Sequence, residues 1–314
     1  MQVPGTKECS CTHVFKYKAS TNLSRNPGAK TIEDELFKAL CAEELISEDN
    51  AVDPKKVAWM RACRTDKGVH AAGQVVSFKM LMKGGDQPDA LKTLTAALNV
   101  RLPDQIRIFG IKRTTGSFHA KERTDSRIYE YLIPTYAFRP VDPTPYGQAR
   151  PAEEMPWDPA VPAIREELKG ELKSYRIPAD LLQRVREAFK VYIGTHPFHN
   201  FTIGKGPEDL SSRRHIMDVS VGEPWVQDSL SEWLSIKFHG QSFMLHQIRK
   251  MVGLVVMTVR LGVPSSKIAC CFNANVKVNI PKAPALGLLL DRAILQQYNQ
   301  RTSGDHDPID FLDY

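Results

Sequence analysis

The sequence predicts an α+β fold in two halves, each a mixed, mainly antiparallel sheet with helices packed on one side. Three observations carry this. Residues 72–80, 127–133 and 232–239 alternate in character, with Val76, Phe78 and Met80, then Tyr129, Tyr131 and Ile133, then Leu234, Ile236 and Phe238 on one face. Between such stretches lie apolar residues at helical spacing, Ile32, Leu36, Phe37 and Leu40 in one place and Leu181, Leu182, Val185, Phe189 and Ile193 in another. A proline-rich and then charged stretch, 138–179, separates the two patterned regions and reads as a surface insertion or connector.

Along the chain, residues 1–30 show no period and read as irregular. The first half, 31–137, opens with Thr31 and Asp34 as a capping box ahead of a helix. The strand 72–80 follows a polar break at 50–56. Leu91, Leu94 and Leu98 then mark a helix that Pro103 closes, and residues 105–111 and 127–133 are further strands. The second half, 180–297, starts with the Leu181–Ile193 helix, stopped by Gly194. Strands at 213–221 and 232–239 lead to a helix from about Met244 to Leu261, whose apolar face runs through Leu245, Ile248, Val252, Val255, Val256 and Val259. Residues 286–294 form the last strand, and the polar tail 298–314 is expected to fray.

Composition narrows the class. Of 314 residues, 42% are apolar and 25% charged, which suits a globular protein with a sizeable core. The formal charge of +6 admits a nucleic-acid partner without requiring one. No apolar run reaches the ~18 residues that span a bilayer, and the polar start lacks a signal-peptide pattern, so no membrane role and a reducing intracellular compartment are expected. The six cysteines include no CxxC pair and indicate neither a disulfide framework nor a zinc ribbon; a structural zinc has no support in the sequence. Cys270 and Cys271 read as apolar filler.

The sharpest segment is 61–76. Asp66 lies between Arg64 and Lys67, so two cations favour its ionised form, and Gly68 permits an unusual turn. The segment is a loop held just before a strand, where functional residues are common. On these residues alone a salt-bridged surface loop explains it better. Four other segments stand out: Ser117–Lys121 with Arg127–Tyr131; Gly194–Thr202, whose His196 and His199 suit packing better than metal ligation; Gly240–Gly253, which sets Arg249 among apolar helix positions; and Ala283–Leu290.

Taken in this order, the five segments resemble TruA-type pseudouridine synthases, most closely the eukaryotic multisite tRNA enzymes. Arg64-Thr65-Asp66-Lys67-Gly68-Val69-His70-Ala71 matches the family signature, and the likeness covers roughly residues 30–135 and 180–295. The resemblance implies two pseudo-repeated halves with an RNA cleft between them. It implies that Asp66 is the essential aspartate, that Arg249 pairs with it, that Tyr129 stacks on the uracil and that Leu288 walls the uracil pocket. Arg64 helps to hold the RNA with the target base turned out, and Lys67 with other cations meets phosphates. No cofactor or metal is required. The implied partners are tRNA and other structured RNA, including snRNA and mRNA. The implied location is the nucleus, with mitochondrion or cytoplasm as alternatives, and the protein acts as a monomer or a homodimer.

One departure bears on the fold. The family opens with a strand for which only Met1-Gln2 stands here, and residues 3–25 resemble nothing in the family. The expectation is a mis-assigned gene start and a missing first strand, which leaves a neighbouring strand unpaired. Two rival functions follow: an RNA-binding protein inactive because of its N-terminus, and a nucleoside or glycosyl hydrolase, for which no second carboxylate in suitable context accompanies Asp66.

Overall fold

The computed structural model describes residues 12–19, 31–82, 88–140, 170–227 and 231–310. In chain order these include β1 (Thr12–Ala19), α1 (Ile32–Ala42), β2 (Met60–Arg61), β3 (His70–Lys79), α2 (Pro88–Arg101), β4 (Arg107–Arg113), β5 (Ser126–Pro134), α3 (Ala179–Lys190), β6 (Gly194–Pro197), β7 (Arg213–Val221), β8 (Trp225–Val226), β9 (Glu232–Gly240), α4 (Gln247–Arg260), β10 (Leu288–Ile294) and α5 (Gln296–Thr302). Helices and a mainly antiparallel sheet alternate, as the periodicities predict. The chain divides into two compact units. One comprises Met1–Glu130, His239–Ser242 and Ala285–Tyr314; the other comprises Tyr131–Phe238 and Phe243–Pro284. Residues 285–297, grouped by sequence with the second half, therefore return to the first unit. Most of the connector 138–179 lies outside the described residues.

In the first unit α1 starts at Thr31, whose hydroxyl oxygen accepts from the Asp34 amide at 3.2 Å and so satisfies a donor that the helix leaves open. Its face of Ile32, Leu36, Phe37 and Leu40 is buried with Trp59, Val76 and Phe78. Trp59 stands between Phe37 and Phe78, with ring centroids 4.8 and 5.0 Å away. Glu33, only 1% exposed, is the polar member of this core. Its Oε1 accepts from Trp59 Nε1 at 2.8 Å and meets Arg61 Nε at 2.9 Å, and a buried carboxylate needs such partners.

Two expectations for this unit are corrected. Residues 12–19 are a strand, not an irregular stretch: β1 pairs antiparallel with both β3 and β4. The position expected to stand empty is therefore filled. Val14, Phe15 and Tyr17 favour a pleated surface, and two partners satisfy the β1 backbone on both edges. The remaining residues of 1–30 lie outside the described residues. Nor does the tail fray at Tyr298. That residue is 3% exposed, its ring meets Phe118 at 4.6 Å, and its hydroxyl accepts from the Thr115 amide at 3.2 Å. Ile309 is buried as well, and its amide donates to Asn299 Oδ1 at 2.9 Å.

In the second unit Leu181, Leu182, Val185 and Phe189 of α3 are buried as predicted, but Ile193 lies past the helix and is 38% exposed. Phe189 packs edge-on against Phe238 at 5.7 Å, and Tyr192 does so against Phe201 at 5.6 Å. The Tyr192 hydroxyl donates to the Met251 carbonyl at 3.0 Å. Helix α4 begins three residues later than its apolar pattern suggests, because His246 takes a left-handed backbone (φ 64°) that a helix cannot include. Leu245 is left outside the helix and 47% exposed. Cys271 fills the core as expected; Cys270 is exposed.

Helix α4 also lies very close to the 281–284 segment. A Cβ on Gly253 would sit 2.2 Å from the Pro281 carbonyl oxygen, so only glycine permits this approach. Gly253→Ala should therefore destabilise the protein by about 1–3 kcal/mol, read as a lower midpoint in urea with unchanged slope. A second expectation concerns pH. Burial raises Tyr129 and Tyr192 well above the usual phenol value and Tyr131 to about 12. Unfolded phenols deprotonate near ~10 while the folded ones keep their protons, so the native state binds more protons in that range and stability must fall as pH rises. This contribution is fully present below pH ~10 and is lost progressively as pH climbs through about 12, the value for Tyr131. Denaturant titrations at about pH 8 and about pH 10.5 should show it, with the tyrosinate absorbance of these three phenols appearing only as the fold is lost.

Candidate active site

The geometry around Asp66 starts with β3. Strand β1 runs along one edge of it, pairing from Thr12↔Lys79 to Ala19↔Ala71. The other edge is shared. At one end β2 pairs antiparallel, Met60↔Ser77 and Arg61↔Val76, and the Ala62 amide adds a bond to the Val75 carbonyl at 2.8 Å. At the other end β10 pairs parallel, Leu289↔His70 and Leu290↔Ala71. Between these partners lies a gap; the chain leaves β2 beside it, and Cys63 to Val69 form the loop that leads to His70, the first residue of β3. Asp66 stands in that loop, half-buried, with Arg64 and Lys67 exposed beside it.

Both ends of the loop are held. Near the start, the Gln74 side chain takes the place of a strand partner: its Oε1 accepts from the Cys63 amide at 3.1 Å and its Nε2 donates to the Cys63 carbonyl at 2.9 Å. At the far end, the Val69 amide donates to the Asp66 carbonyl at 3.1 Å. Gly68 makes the turn with φ +80°, and the position of its absent Cβ lies 3.4 Å from Ala285 Cβ. A side chain there would be strained by that φ.

Beneath the loop, β5 supplies Arg127 and Tyr129. The Arg127 guanidinium donates to four carbonyls: Ala62 at 3.1 Å, Lys121 at 3.2 Å, Thr124 at 3.2 Å and Gln241 at 2.7 Å. The Tyr129 phenol is buried and hydrogen-bonded to the Cys63 thiol. Burial first, then Cys63 and the negative charge of Asp66, push it far above the usual phenol range, against the opposing pull of Arg127. Tyr129 is therefore a neutral phenol within electrostatic reach of the Asp66 carboxylate. Burial likewise raises the Cys63 thiol, so it is not a thiolate. Leu288, the first residue of β10, is 7% exposed. The first unit thus gathers Arg64, Asp66, Lys67, Tyr129 and Leu288 on adjoining strands and loops.

Arg249 belongs to the second unit, on the first turn of α4, and is half-buried. Its Nε donates to the Ala283 carbonyl at 2.7 Å, and the Ala283 amide returns a bond to the Arg249 carbonyl at 2.9 Å. The Tyr131 hydroxyl holds the next carbonyl, that of Pro284, at 2.8 Å. Gly253, one turn along α4, permits this docking, so the guanidinium projects from a fixed stretch of backbone. His196 and His199 take packing roles. His196 stacks on Phe272 at 4.3 Å, and His199 is buried with Nε2 3.0 Å from Asn200 Nδ2.

Gln74 and Arg127 were missed as site residues by the sequence reading, although each carried a signal. Gln74 shares the face of Val76 and Phe78, and Arg127 that of Tyr129, so each is a polar residue in a core-facing register.

Residues 188–294 match the family described as tRNA pseudouridine synthase. The chain is 36% identical to tRNA pseudouridine synthase 1 of Yarrowia lipolytica over 89% of its own length and 62% of the relative's. Against Pseudouridylate synthase 1 homolog of Homo sapiens the identity is 41%, over 95% of this chain and 62% of that one. Against tRNA pseudouridine synthase 1 of Saccharomyces cerevisiae it is 38%, over 92% and 61%. The chain spans about three-fifths of the length of these relatives. These likenesses are all to tRNA pseudouridine synthases, the family whose signature the Asp66 segment resembles.

Proposed function

We propose that the chain isomerises uridine to pseudouridine in tRNA, at several positions, and in other structured RNA such as snRNA and mRNA, with Asp66 as the catalytic carboxylate. The observation that carries this reading is the Asp66 loop itself: a carboxylate at a gap in the sheet edge, held at both ends, with a neutral buried phenol in its field. The reaction breaks the bond from uracil N1 to ribose C1′, turns the base and rejoins it through C5. Nothing is oxidised and no group is lost apart from the C5 proton, so the chemistry calls for no cofactor. Positive charge develops at C1′, and a carboxylate can stabilise or trap it, as in glycosidic cleavage. Attack on C1′ and removal of the 2′ proton both require the ionised form of Asp66. In this proposal Arg249 is the second catalytic residue.

The target base has to leave its stack at a cost of a few kcal/mol. Stacking on the Tyr129 ring returns about 1–3 kcal/mol, and Leu288 supplies an apolar wall. Exposed Arg64 and Lys67 meet backbone phosphates. Placement in the nucleus, and action as a monomer or a homodimer, belong to the same proposal. The pairing of β1 on both edges favours an active enzyme over a binding-only product.

Release of tritium from C5-labelled unmodified tRNA tests the reaction. The chain should release it, and Asp66→Ala should slow release by more than about a thousandfold while still binding the RNA. Release by Asp66→Ala at the native rate would refute the assignment. For Arg64→Ala and Lys67→Ala the expectation differs. Each should weaken RNA binding across sequences and lower the slope of log affinity against log salt by about one, as measured by filter binding over a salt series.

A further inference from the structure

Gln74 is wholly buried in β3, and every bond of its amide goes to backbone. Its Oε1 accepts from the Cys63 amide at 3.1 Å and from its own neighbour, the Val75 amide, at 3.2 Å. Its Nε2 donates to the Cys63 carbonyl at 2.9 Å. A side chain thus makes the paired bonds that a strand would make, at the one stretch of β3 where neither β2 nor β10 reaches. Cys63 lies three residues before Asp66. Arg127 fixes the preceding carbonyl, that of Ala62, at 3.1 Å, and Tyr129 holds the Cys63 thiol. The backbone on which the Asp66 loop departs is therefore set by one amide and one guanidinium.

We propose that Gln74 is a positioning residue for Asp66: its amide clamps both backbone groups of Cys63, and so fixes where the loop leaves the sheet and where it carries the carboxylate. The inference rests on the assignment of Asp66 as the catalytic carboxylate. Only a group that both accepts and donates can hold an amide N–H and the carbonyl of one residue together. Methionine has the volume for the site and can do neither. Glutamate has the shape and can do both only while protonated. Burial against a carbonyl oxygen disfavours its ionised form. The ionisable groups around this segment keep one form across neutral pH. Cys63 and Tyr129 are raised by burial.

Steady-state tritium release over a range of labelled tRNA concentrations tests this with the full chain, Asp66→Ala, Gln74→Met and Gln74→Glu, each checked for native circular dichroism. Misplacement by about 1 Å costs about a hundredfold in rate. Gln74→Met should thus lose about 10- to 100-fold in kcat with the KM for tRNA unchanged. Gln74→Glu should approach the native rate near pH ~6 and fall away from the native pH profile by pH ~8.5 as the carboxyl ionises. This pH signature remains available if Gln74→Met does not fold, and a purely structural role for Gln74 does not generate it. A native kcat for Gln74→Met, a loss confined to KM, or a Gln74→Glu profile that superimposes on the native one overturns the inference and leaves the reading of Asp66 intact. An inactive native chain, or an Asp66→Ala variant as fast as the native chain, overturns that reading and the inference with it.

Discussion

A strand has two edges, and the described arrangement around the Asp66 loop depends on how β3 divides one of them. Strand β1 takes the whole of the first edge. The second is occupied at one end by an antiparallel partner and at the other by a parallel one. Antiparallel and parallel ladders differ in the spacing and slant of their bonds, so the change from one to the other leaves an interval with no strand. Backbone groups in such an interval cannot stay unpaired in the interior. Gln74 answers for the Cys63 peptide, and the loop that bridges the interval carries Asp66. The same discontinuity that would weaken an ordinary sheet gives the carboxylate a place to emerge.

The surroundings of that interval are unusually polar for a core. Glu33 meets Arg61 and Trp59, Arg127 gathers four carbonyls, and Gln74 spans both sides of one residue. Buried polar groups cost free energy unless they are hydrogen-bonded, and networks of this kind hold one geometry because the alternatives leave a group unpaired. Their positions follow the chain into the loop: Arg61, Ala62 and Cys63 are each fixed by a different element before Asp66 is reached. Rigidity of this sort holds the carboxylate to one position.

In the second unit the constraint is steric. Helix α4 rests on the 281–284 segment at a separation that admits no side chain at Gly253. Arg249 exchanges two bonds with Ala283, and Tyr131 secures Pro284. Here a close approach of backbones, rather than a polar network, sets where the Arg249 side chain begins.

The local patterns of the chain determined much. Alternation and helical spacing located most strands and helices, because side-chain period follows backbone geometry whatever lies across the fold. The motif around Asp66 also marked the loop, since a carboxylate flanked by cations and followed by glycine is visible without a structure. The start of α4 was misplaced because the backbone turn at His246 leaves no trace in an apolar pattern. Strand β1 and the packed tail at Tyr298 were missed for a related reason: neither has a strong period, and both gain order from neighbours far along the chain. Only the tertiary structure decided that β10 returns to β3 in parallel, that β2 stops short of it, and that Gln74 closes the space between. Those are long-range pairings. Their free energy depends on which strand edges meet, which no local stretch of sequence encodes.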